Sequence, residues 1–187
     1  MVITPQEQVL NQIGSTYQRD GGSAFDRHCS HVVHLNASPE QVFARADEHA
    51  QLSSHMTRRS WMTGGGRMGI HTDSGAGRRL GSKIQLEGRM FGVRLSVEEV
   101  VTEYDPPRRK VWQTVGVPRL VVLESYRMGF EVTPLDHTTR LEVFLDYNLP
   151  RRAVSRWLGA LFGTYYARWC TQKMATDLGT HFSRSAR

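Results

Sequence analysis

The sequence predicts one α+β domain in which a long C-terminal helix packs on a curved antiparallel sheet of about seven strands. Two changes in hydrophobic period carry this prediction. Between residues 81 and 149 apolar and polar residues alternate almost continuously, as they do in strands with one buried face. From residue 152 the apolar residues recur every three or four positions, as they do in an amphipathic helix. A chain of 187 residues fits one such domain.

Residues 1–24 are expected to form an N-terminal leader with a short amphipathic helix, ahead of the main domain at residues 25–187. Thr4 is placed to cap this helix, with Pro5 in its first turn and Glu7 three positions after the cap. The leader contains no apolar stretch of the length found in secretory signals, so we expect a cytoplasmic protein.

The main domain is predicted to begin with a strand over Phe25–Leu35 and to continue into two short helices. Ser38 and Gln41 have the spacing of a capping box, and Pro39 suits the first helical position. The apolar face of the two helices would consist of Val42, Phe43, Ala46, Leu52 and Met56.

Runs of alternating residues then predict a meander of strands. Short separators such as Asp105-Pro106-Pro107 make neighbouring strands hairpin partners. A short strand or loop with Ile70 precedes the meander, between two glycine clusters. The residues predicted to face the core are Ile84, Leu86, Met90, Val93, Leu95, Val97, Val111, Gln113, Val115, Leu120, Val122, Tyr126, Met128, Phe130, Val132, Leu141, Val143, Leu145, Tyr147 and Leu149.

The last predicted element is a helix of about 30 residues, roughly 45 Å long at 1.5 Å per residue, which begins at Arg152 after Pro150. Its apolar stripe includes Trp157, Leu161, Phe162, Tyr165 and Trp169. This stripe is unusually aromatic. It suits either plain core packing or the wall of a cavity that binds an aromatic molecule.

The chain carries a formal charge of +6 with a pI of about 9.7, from 24 Lys and Arg against 18 Asp and Glu. The excess is scattered as pairs such as Arg58-Arg59 and Arg108-Arg109, so we do not expect a nucleic-acid partner. No uncharged run is long enough to predict a membrane span. Cys29 and Cys170 are expected to be buried free thiols.

Three residues are candidates for catalysis. Glu124 falls in register with Val122 and Tyr126, on the face that should be dry, where burial would make it a usable acid or base. A glutamate at the rim, or a buried partner for an arginine, is the structural alternative. His55 and His71 are candidates for proton transfer, since imidazole titrates near neutral pH, although surface roles suit them equally.

The sequence predicts no metal site and no cofactor. The other histidines lack a metal-binding spacing, and the glycine clusters at 64–66 and 75–77 lack the flanking residues of a phosphate-binding loop. Tyr126 and Tyr147 would point inward from neighbouring strands, where either phenol could orient a ligand carbonyl or simply pack in the core.

Two stretches, His31 to Phe43 and Val97 to Trp112, read as a strand, turn and helix and as a strand, Asp-Pro-Pro turn and strand. Both resemble the corresponding segments of the START-like (SRPBCC) superfamily, most closely its polyketide cyclase/dehydrase and lipid-transport group. The resemblance covers residues 25 to 183. It implies the helix-grip fold, with a cavity between sheet and helix that binds apolar molecules.

The resemblance also adds ligand-binding candidates. The stretch from His55 to Met68, which includes Trp61, would lie at the cavity entrance. The full set of ligand-binding candidates is Trp61, Met68, Trp112, Tyr126, Tyr147, Trp157, Leu161, Tyr165 and Trp169.

Three functions follow as hypotheses. The first is a carrier or sensor that encloses a hydrophobic or aromatic small molecule. The second is a cofactor-free enzyme, a cyclase or dehydratase that uses the same cavity with Glu124 and a histidine exchanging protons. The third is a basic adaptor for RNA, anionic lipid or a protein partner. The sequence leaves open whether the chain forms a homodimer.

Overall fold

A computed structural model describes residues 25–48, 68–90, 93–150 and 159–185. The predicted leader helix, the second short helix and the first turns of the C-terminal helix lie outside these ranges. In the described part, no helix has the length and hydropathy needed to cross a bilayer.

Seven antiparallel strands form one curved sheet in the order β1-β7-β6-β5-β4-β3-β2. This arrangement confirms the predicted fold class. Along the chain the elements are β1 (Arg27–Leu35), α1 (Pro39–Asp47), β2 (Met68–Thr72), β3 (Lys83–Met90), β4 (Val93–Asp105), β5 (Arg109–Arg119), β6 (Ser125–Pro134), β7 (Thr139–Asn148), a π-helical turn (Gly159–Gly163) and α2 (Thr164–Ser185).

The start of α1 follows the predicted capping box. Ser38 Oγ accepts a hydrogen bond from the Gln41 backbone N–H, and the Ser38 N–H donates to Gln41 Oε1. Val42, Phe43 and Ala46 are buried as expected, and the Phe43 ring meets the Phe130 ring edge-on. The helix therefore covers one end of the sheet's inner face.

α2 covers the rest of that face and packs mainly on β1 and β7. Residues spaced at three and four along α2 turn inward and join a single hydrophobic cluster with the strands. They are Tyr166, Ala167, Cys170, Met174 and Leu178. The space between sheet and α2 is the interior in which the site must be sought.

The predicted facing of β5 is wrong by one residue. Trp112 lies in the core cluster opposite Val101 and Met128, so Lys110 and Trp112 face the interior. Val111 and Gln113 point to the other face, yet they are buried as well. Because this central strand is covered on both faces, its hydrophobic pattern does not reveal which face is the inner one.

The predicted strand from Leu120 to Val132 is also shorter than expected, since β6 begins only at Ser125. Val122 and Leu123 are both buried, but they lie in the irregular connection before β6 and not in a strand. The connection between β5 and β6 therefore shifts the facing of the next residue, Glu124.

Candidate functional site

A buried carboxyl group and a phenol meet in the interior near the start of α2. Glu99 continues the inward series Leu95 and Val97 on β4 and is buried. Tyr126, at the start of β6, donates a hydrogen bond from its hydroxyl to Glu99 Oε1. This Glu99–Tyr126 pair joins two strands that are separated in the sheet by β5.

Thr114 on β5 positions Tyr126 at the point where regular β5–β6 pairing has ended. Its Oγ1 accepts a hydrogen bond from the Tyr126 N–H at 3.2 Å and donates to the Tyr126 carbonyl at 3.3 Å. Glu99 lies opposite Thr114 in the β4–β5 register. The Thr114 side chain therefore fixes the backbone of Tyr126, and from this position the Tyr126 hydroxyl reaches the carboxyl group of Glu99.

The surroundings of the pair keep the Tyr126 phenol neutral. Burial raises the pKa of Tyr126 well above its usual value, and the charge of Glu99 raises it further. Burial likewise raises the pKa of Tyr166, and it raises the pKa of the Cys170 thiol to about 12. At neutral pH the phenol therefore remains a hydrogen-bond donor beside a carboxyl group in an apolar wall.

A second polar group lies under α1, at the opposite end of the interior. Lys110 Nζ is 2.6 Å from Asp47 Oδ1, and both side chains are buried. The Tyr104 hydroxyl donates to Asp47 Oδ2 at 2.8 Å, and Arg78 Nε lies 3.8 Å from the same oxygen. The Lys110–Asp47 pair thus ties α1 to β5.

Burial lowers the pKa of Lys110, and the hydrogen bond and charge of Asp47 oppose this change. Burial and the bond to Asp47 raise the pKa of Tyr104 to about 12. Lys110 Nζ also lies 5.8 Å from the centre of the Trp112 ring. The buried Lys110 and Asp47 form a pair of opposite charges, with the exposed Arg78 as a second cation near Asp47, which is the arrangement expected of a structural ion pair.

The predicted catalytic residues are not brought together in the interior. Glu124 is exposed just before β6, so its predicted burial is wrong, and the rim position is the correct alternative. His71 lies opposite the exposed Gln85, whereas its neighbour Ile70 lies opposite the buried Leu86. His71 therefore points away from the interior. His55 lies outside the described residues.

The predicted ligand-binding residues divide into three groups. Trp112, Tyr126 and Tyr147 face the interior and are buried. Trp169 is partly buried against the core, with its ring centre 5.9 Å from that of Tyr166. Leu161 and Tyr165 are exposed, so the expectation that they face a cavity wall is wrong.

The other three ligand-binding candidates are not placed by the structure. Trp61 and Trp157 lie outside the described residues, and only the backbone of Met68 is described, at the start of β2.

Sequence reasoning missed Glu99 and Lys110. A signal for Glu99 was present, because the inward series of Leu95 and Val97 continues to Glu99 and Val101 at a period of two, but the predicted strand stopped at Val97. Lys110 shares the face of Trp112, whereas the predicted inward series of Val111, Gln113 and Val115 assigned the opposite face to the interior.

Two further features can be placed. The described residues contain no group of three His, Cys, Asp or Glu side chains that could hold a metal ion, and Cys29 and Cys170 are free thiols.

An open surface groove of about 570 Å³ lies between α1 and the end of α2, lined by residues such as Arg45, Glu48 and Phe182. The groove is separate from the Glu99–Tyr126 pair.

Comparisons with known proteins agree with this geometry. A family model described as polyketide cyclase/dehydrase and lipid transport matches residues 26–181. No curated protein matches the sequence.

Solved structures show the fold. A protein of Thermus thermophilus has a TM-score of 0.62 at 13% identity, covering 86% of this chain and 100% of its own. The ZhuI aromatase/cyclase of Streptomyces sp. R1128 has a TM-score of 0.58 at 12% identity, covering 86% and 96%. A Thalictrum norcoclaurine synthase variant, in complex with a transition-state analogue, has a TM-score of 0.58 at 11% identity, also covering 86% and 96%. The fold is therefore the helix-grip fold.

Proposed function

The chain belongs to the polyketide cyclase/dehydrase and lipid-transport family, and we propose that it binds a hydrophobic or aromatic small molecule between the sheet and α2, as a carrier or sensor. The observation that carries the proposal is the Glu99–Tyr126 pair, which sets a hydrogen-bonding carboxyl group and phenol into an otherwise apolar wall. Apolar surroundings with a few placed polar groups are typical of small-molecule sites.

The exposure of the interior residues supports a ligand position near Tyr126. Tyr126 and Met128 keep 7% of their surface accessible and Tyr166 keeps 9%, whereas Trp112 and Tyr147 keep only 1%. The interior is thus slightly more accessible beside the Glu99–Tyr126 pair than around Trp112. A ligand hydroxyl placed there could donate to Glu99 or to the Tyr126 oxygen without breaking the pair, which favours an aromatic molecule bearing a phenol.

A fluorescence titration with the neutral dye N-phenyl-1-naphthylamine tests the proposal. We expect one saturable site, and we expect 2-naphthol to displace the dye more strongly than naphthalene does, because only the naphthol can hydrogen-bond to the pair. Dye binding that does not saturate would overturn the proposal.

Two phenol-to-phenyl variants separate the pair from general packing. Tyr126→Phe should weaken displacement by 2-naphthol up to about tenfold, since a hydrogen bond between neutral groups contributes roughly 0.5–1.5 kcal/mol. Tyr104→Phe removes a phenol that donates to Asp47 at the other end of the interior and should leave displacement unchanged. Equal losses in both variants would show that the effect comes from altered packing.

The same pair favours an enzyme of the cyclase or dehydratase type as the second candidate. A carboxylate can remove a proton from the carbon between two carbonyl groups, and the adjacent phenol can donate a hydrogen bond to the enolate oxygen that forms. The enolate carbon would then bond to a second carbonyl carbon of the same molecule. The resulting alkoxide would take up a proton, and loss of water would complete a dehydration.

Proton exchange separates this enzyme from a carrier. An enzyme should catalyse deuterium uptake from D₂O at the carbon between the two carbonyls of a bound aromatic 1,3-diketone, and Glu99→Gln should abolish the uptake while dye binding persists. A carrier should bind the diketone and leave its exchange rate at the uncatalysed value.

A further inference from the structure

Three large apolar side chains are exposed at the start of α2. Leu161 is 65% exposed, Phe162 52% and Tyr165 53%, and we call this group the π-turn patch. The other large apolar residues exposed in the described part, such as Val117 and Leu135, are each isolated in sequence. Isolated exposed apolar residues are ordinary, but a cluster within about one helical turn indicates a partner.

The packing beneath the turn directs the π-turn patch outward. A Cβ on Gly159 would lie 2.6 Å from Pro150 Cδ, and a Cβ on Gly163 would lie 2.9 Å from the Val122 carbonyl oxygen. The two glycines therefore form the side of the turn that touches the body of the protein. The first two members of the patch lie between these glycines and face solvent.

The start of β1 lies beside this turn. Arg27 Nη1 donates a hydrogen bond to Thr164 Oγ1 at 3.1 Å, and Thr164 directly precedes the last member of the patch. The Asp26 N–H donates to Asn148 Oδ1 at 2.9 Å, at the end of β7. The leader, residues 1–24, joins the chain two residues before Asp26. Its point of attachment is therefore next to the π-turn patch.

The leader has an apolar stripe that matches the patch. The helix predicted for it carries Val9, Leu10, Ile13 and Tyr17 on one face. The first three of these have the spacing i, i+1 and i+4, which is also the spacing of the three patch residues. A helix of about 13 residues is only marginally stable alone in water, so this one needs a surface on which to bury its apolar face.

The linker between the stripe and the domain is short. Residues 18–24 separate Tyr17 from the described chain, and seven residues span at most about 25 Å. A short linker gives an effective concentration of about 1 mM, so a contact with a Kd of about 0.1 mM keeps two tethered surfaces docked in a ratio of about ten to one. A weak apolar contact is therefore sufficient.

Charge does not select a different partner for the patch. The described charged residues at this end of the sheet are of both signs in nearly equal number, with Arg27, Arg119, Arg127 and Arg168 against Asp26, Glu124 and Asp146. A membrane or a second copy of the chain would have to reach the patch from solution. The leader is an apolar segment that is already tethered beside it.

We propose that the helix predicted in the leader docks on the π-turn patch of its own chain. Its apolar stripe packs on Leu161, Phe162 and Tyr165, and both apolar surfaces leave water. The docked leader lies on the outside of α2, at the end of the interior that contains the Glu99–Tyr126 pair. This proposal does not depend on whether the interior holds a ligand.

Hydrogen–deuterium exchange of the full chain, read by mass spectrometry, tests the docking. We expect the amides of residues 6–17 to exchange about tenfold more slowly than those of an unstructured peptide with the same sequence, in line with the docked ratio. The protection should be the same when the protein is diluted tenfold, because an intramolecular contact does not depend on concentration.

Two variants on the domain locate the contact. The double change Leu161→Ser and Phe162→Ser should remove the tenfold protection of the leader, because the patch loses most of its apolar surface. Leu135→Ser is the matched control and should retain the protection, since Leu135 is 46% exposed in the turn after β6, at the opposite end of the sheet. Residues 166–178 of α2 should stay protected in every variant, which shows that the fold is intact.

Two variants in the leader test the contact from the other side. Leu10→Ser with Ile13→Ser should speed the exchange of residues 160–165, because the turn loses the helix that covers it. Gln8→Ser with Asn11→Ser changes the opposite side of the predicted helix and should leave this exchange unchanged.

Several outcomes would overturn the docking proposal. They are exchange of the wild-type leader at the rate of the unstructured peptide, full leader protection in the Leu161→Ser and Phe162→Ser variant, and loss of protection in the Leu135→Ser control. Leader protection that falls on dilution would assign the contact to a second copy. An unprotected leader, together with vesicle binding that the double patch variant abolishes, would assign the patch to a membrane.

Discussion

Two carboxyl groups are buried at opposite ends of the interior, and their partners differ. Asp47 meets the ammonium of Lys110 at 2.6 Å and is also held by Tyr104. Glu99 accepts its hydrogen bond from the neutral phenol of Tyr126. Burying a charge without compensation is costly, so the protein compensates Asp47 with an opposite charge. Around Glu99 lie the phenols of Tyr126 and Tyr166 and the thiol of Cys170, and the charges of Glu99 and Lys110 also act on each other.

This difference separates a structural pair from a pair suited to a ligand. The Lys110–Asp47 pair joins α1 to the sheet, and exchanging either partner for a ligand would leave a charge stranded. The Glu99 carboxyl group and the Tyr126 oxygen can each still accept a hydrogen bond from a bound hydroxyl while the bond between them stays intact. Breaking the Lys110–Asp47 pair should therefore mainly lower stability, whereas breaking the Glu99–Tyr126 pair should mainly lower the affinity for a ligand.

The largest expected effect is at the ionic end. Asp47→Asn leaves the Lys110 ammonium without its carboxylate and should lower the unfolding free energy by about 3–5 kcal/mol. Lys110 can limit the loss by releasing its proton. Its ordinary pKa is 10.5, so deprotonation at pH 7 costs at most about 5 kcal/mol at roughly 1.4 kcal/mol per unit. Urea unfolding measures the difference.

A matched change in an exposed pair provides the control. Glu98 lies 2.9 Å from Lys83, and both side chains are about half exposed. Glu98→Gln should cost at most about 1 kcal/mol, because solvent already screens this pair. Equal costs for the two variants would mean that Lys110–Asp47 is not a buried ion pair in solution.

Alkaline pH should first lower the stability of the part of the interior that contains Cys170, Tyr126 and Tyr166. The pKa of Cys170 is raised from 9.0 to about 12, so its stabilising contribution is complete below pH 9 and is lost as the pH rises toward 12. We expect the unfolding free energy to fall by up to about 1.4 kcal/mol per pH unit above 9. Lys110 acts in the opposite direction, since its pKa is lowered on folding.

Two measurements isolate the Cys170 contribution. Cys170→Ala should reduce the decline between pH 9 and pH 10, below the range in which Tyr104, Tyr126 and Tyr166 begin to contribute. The remaining decline is expected from Cys29, because burial raises the pKa of that thiol too. In the wild type, iodoacetamide should label the partly exposed Cys29 and should reach the buried Cys170 only after unfolding. Equal labelling of both thiols in the folded protein would show that α2 does not close over this end.

A smaller effect on stability is expected for Glu99 itself. In Glu99→Gln the amide oxygen still accepts from Tyr126, so the unfolding free energy should change by no more than about 1 kcal/mol. Glu99→Leu removes the acceptor, leaves the Tyr126 hydroxyl buried without it, and should cost about 1–3 kcal/mol. Both variants should lose affinity for 2-naphthol. A Gln variant destabilised as strongly as Asp47→Asn would make Glu99 a second structural ion.

Most of the fold could be predicted from the sequence, because the alternation of apolar residues marks the strands, their spacing of three and four marks the last helix, and one capping box marks α1. Ser38 and Gln41 identify the start of α1, and the alternation of Leu141 to Tyr147 identifies β7 with the correct inner face. The prediction failed where both faces of a strand are covered, as at Lys110 and Val111, and where two consecutive residues are buried, as at Val122 and Leu123. A pattern of period two carries no information about such places.

The candidate site was harder to predict for the same reason. Glu124 was selected because a strand drawn through Val122 places it inward, and the irregular connection before β6 reverses that facing. Glu99 was overlooked because its strand was ended too early. The exposure of Leu161 depends on which side of its turn packs against Leu149 and Pro150, and this is a tertiary contact that the helical period of α2 does not contain.

The smallest expected effect is at Glu124, which provides the control for Glu99. Glu124→Gln makes the same carboxyl-to-amide change at an exposed position on the rim, so the unfolding free energy should change by less than about 0.5 kcal/mol. Affinity for 2-naphthol and any diketone exchange should equal those of the wild type, because the side chain does not reach the interior. The comparison is decided by running both Gln variants in the same titration. A loss of binding in Glu124→Gln with full binding in Glu99→Gln would move the ligand from the interior to the rim, and the buried carboxyl–phenol pair would then be part of the core.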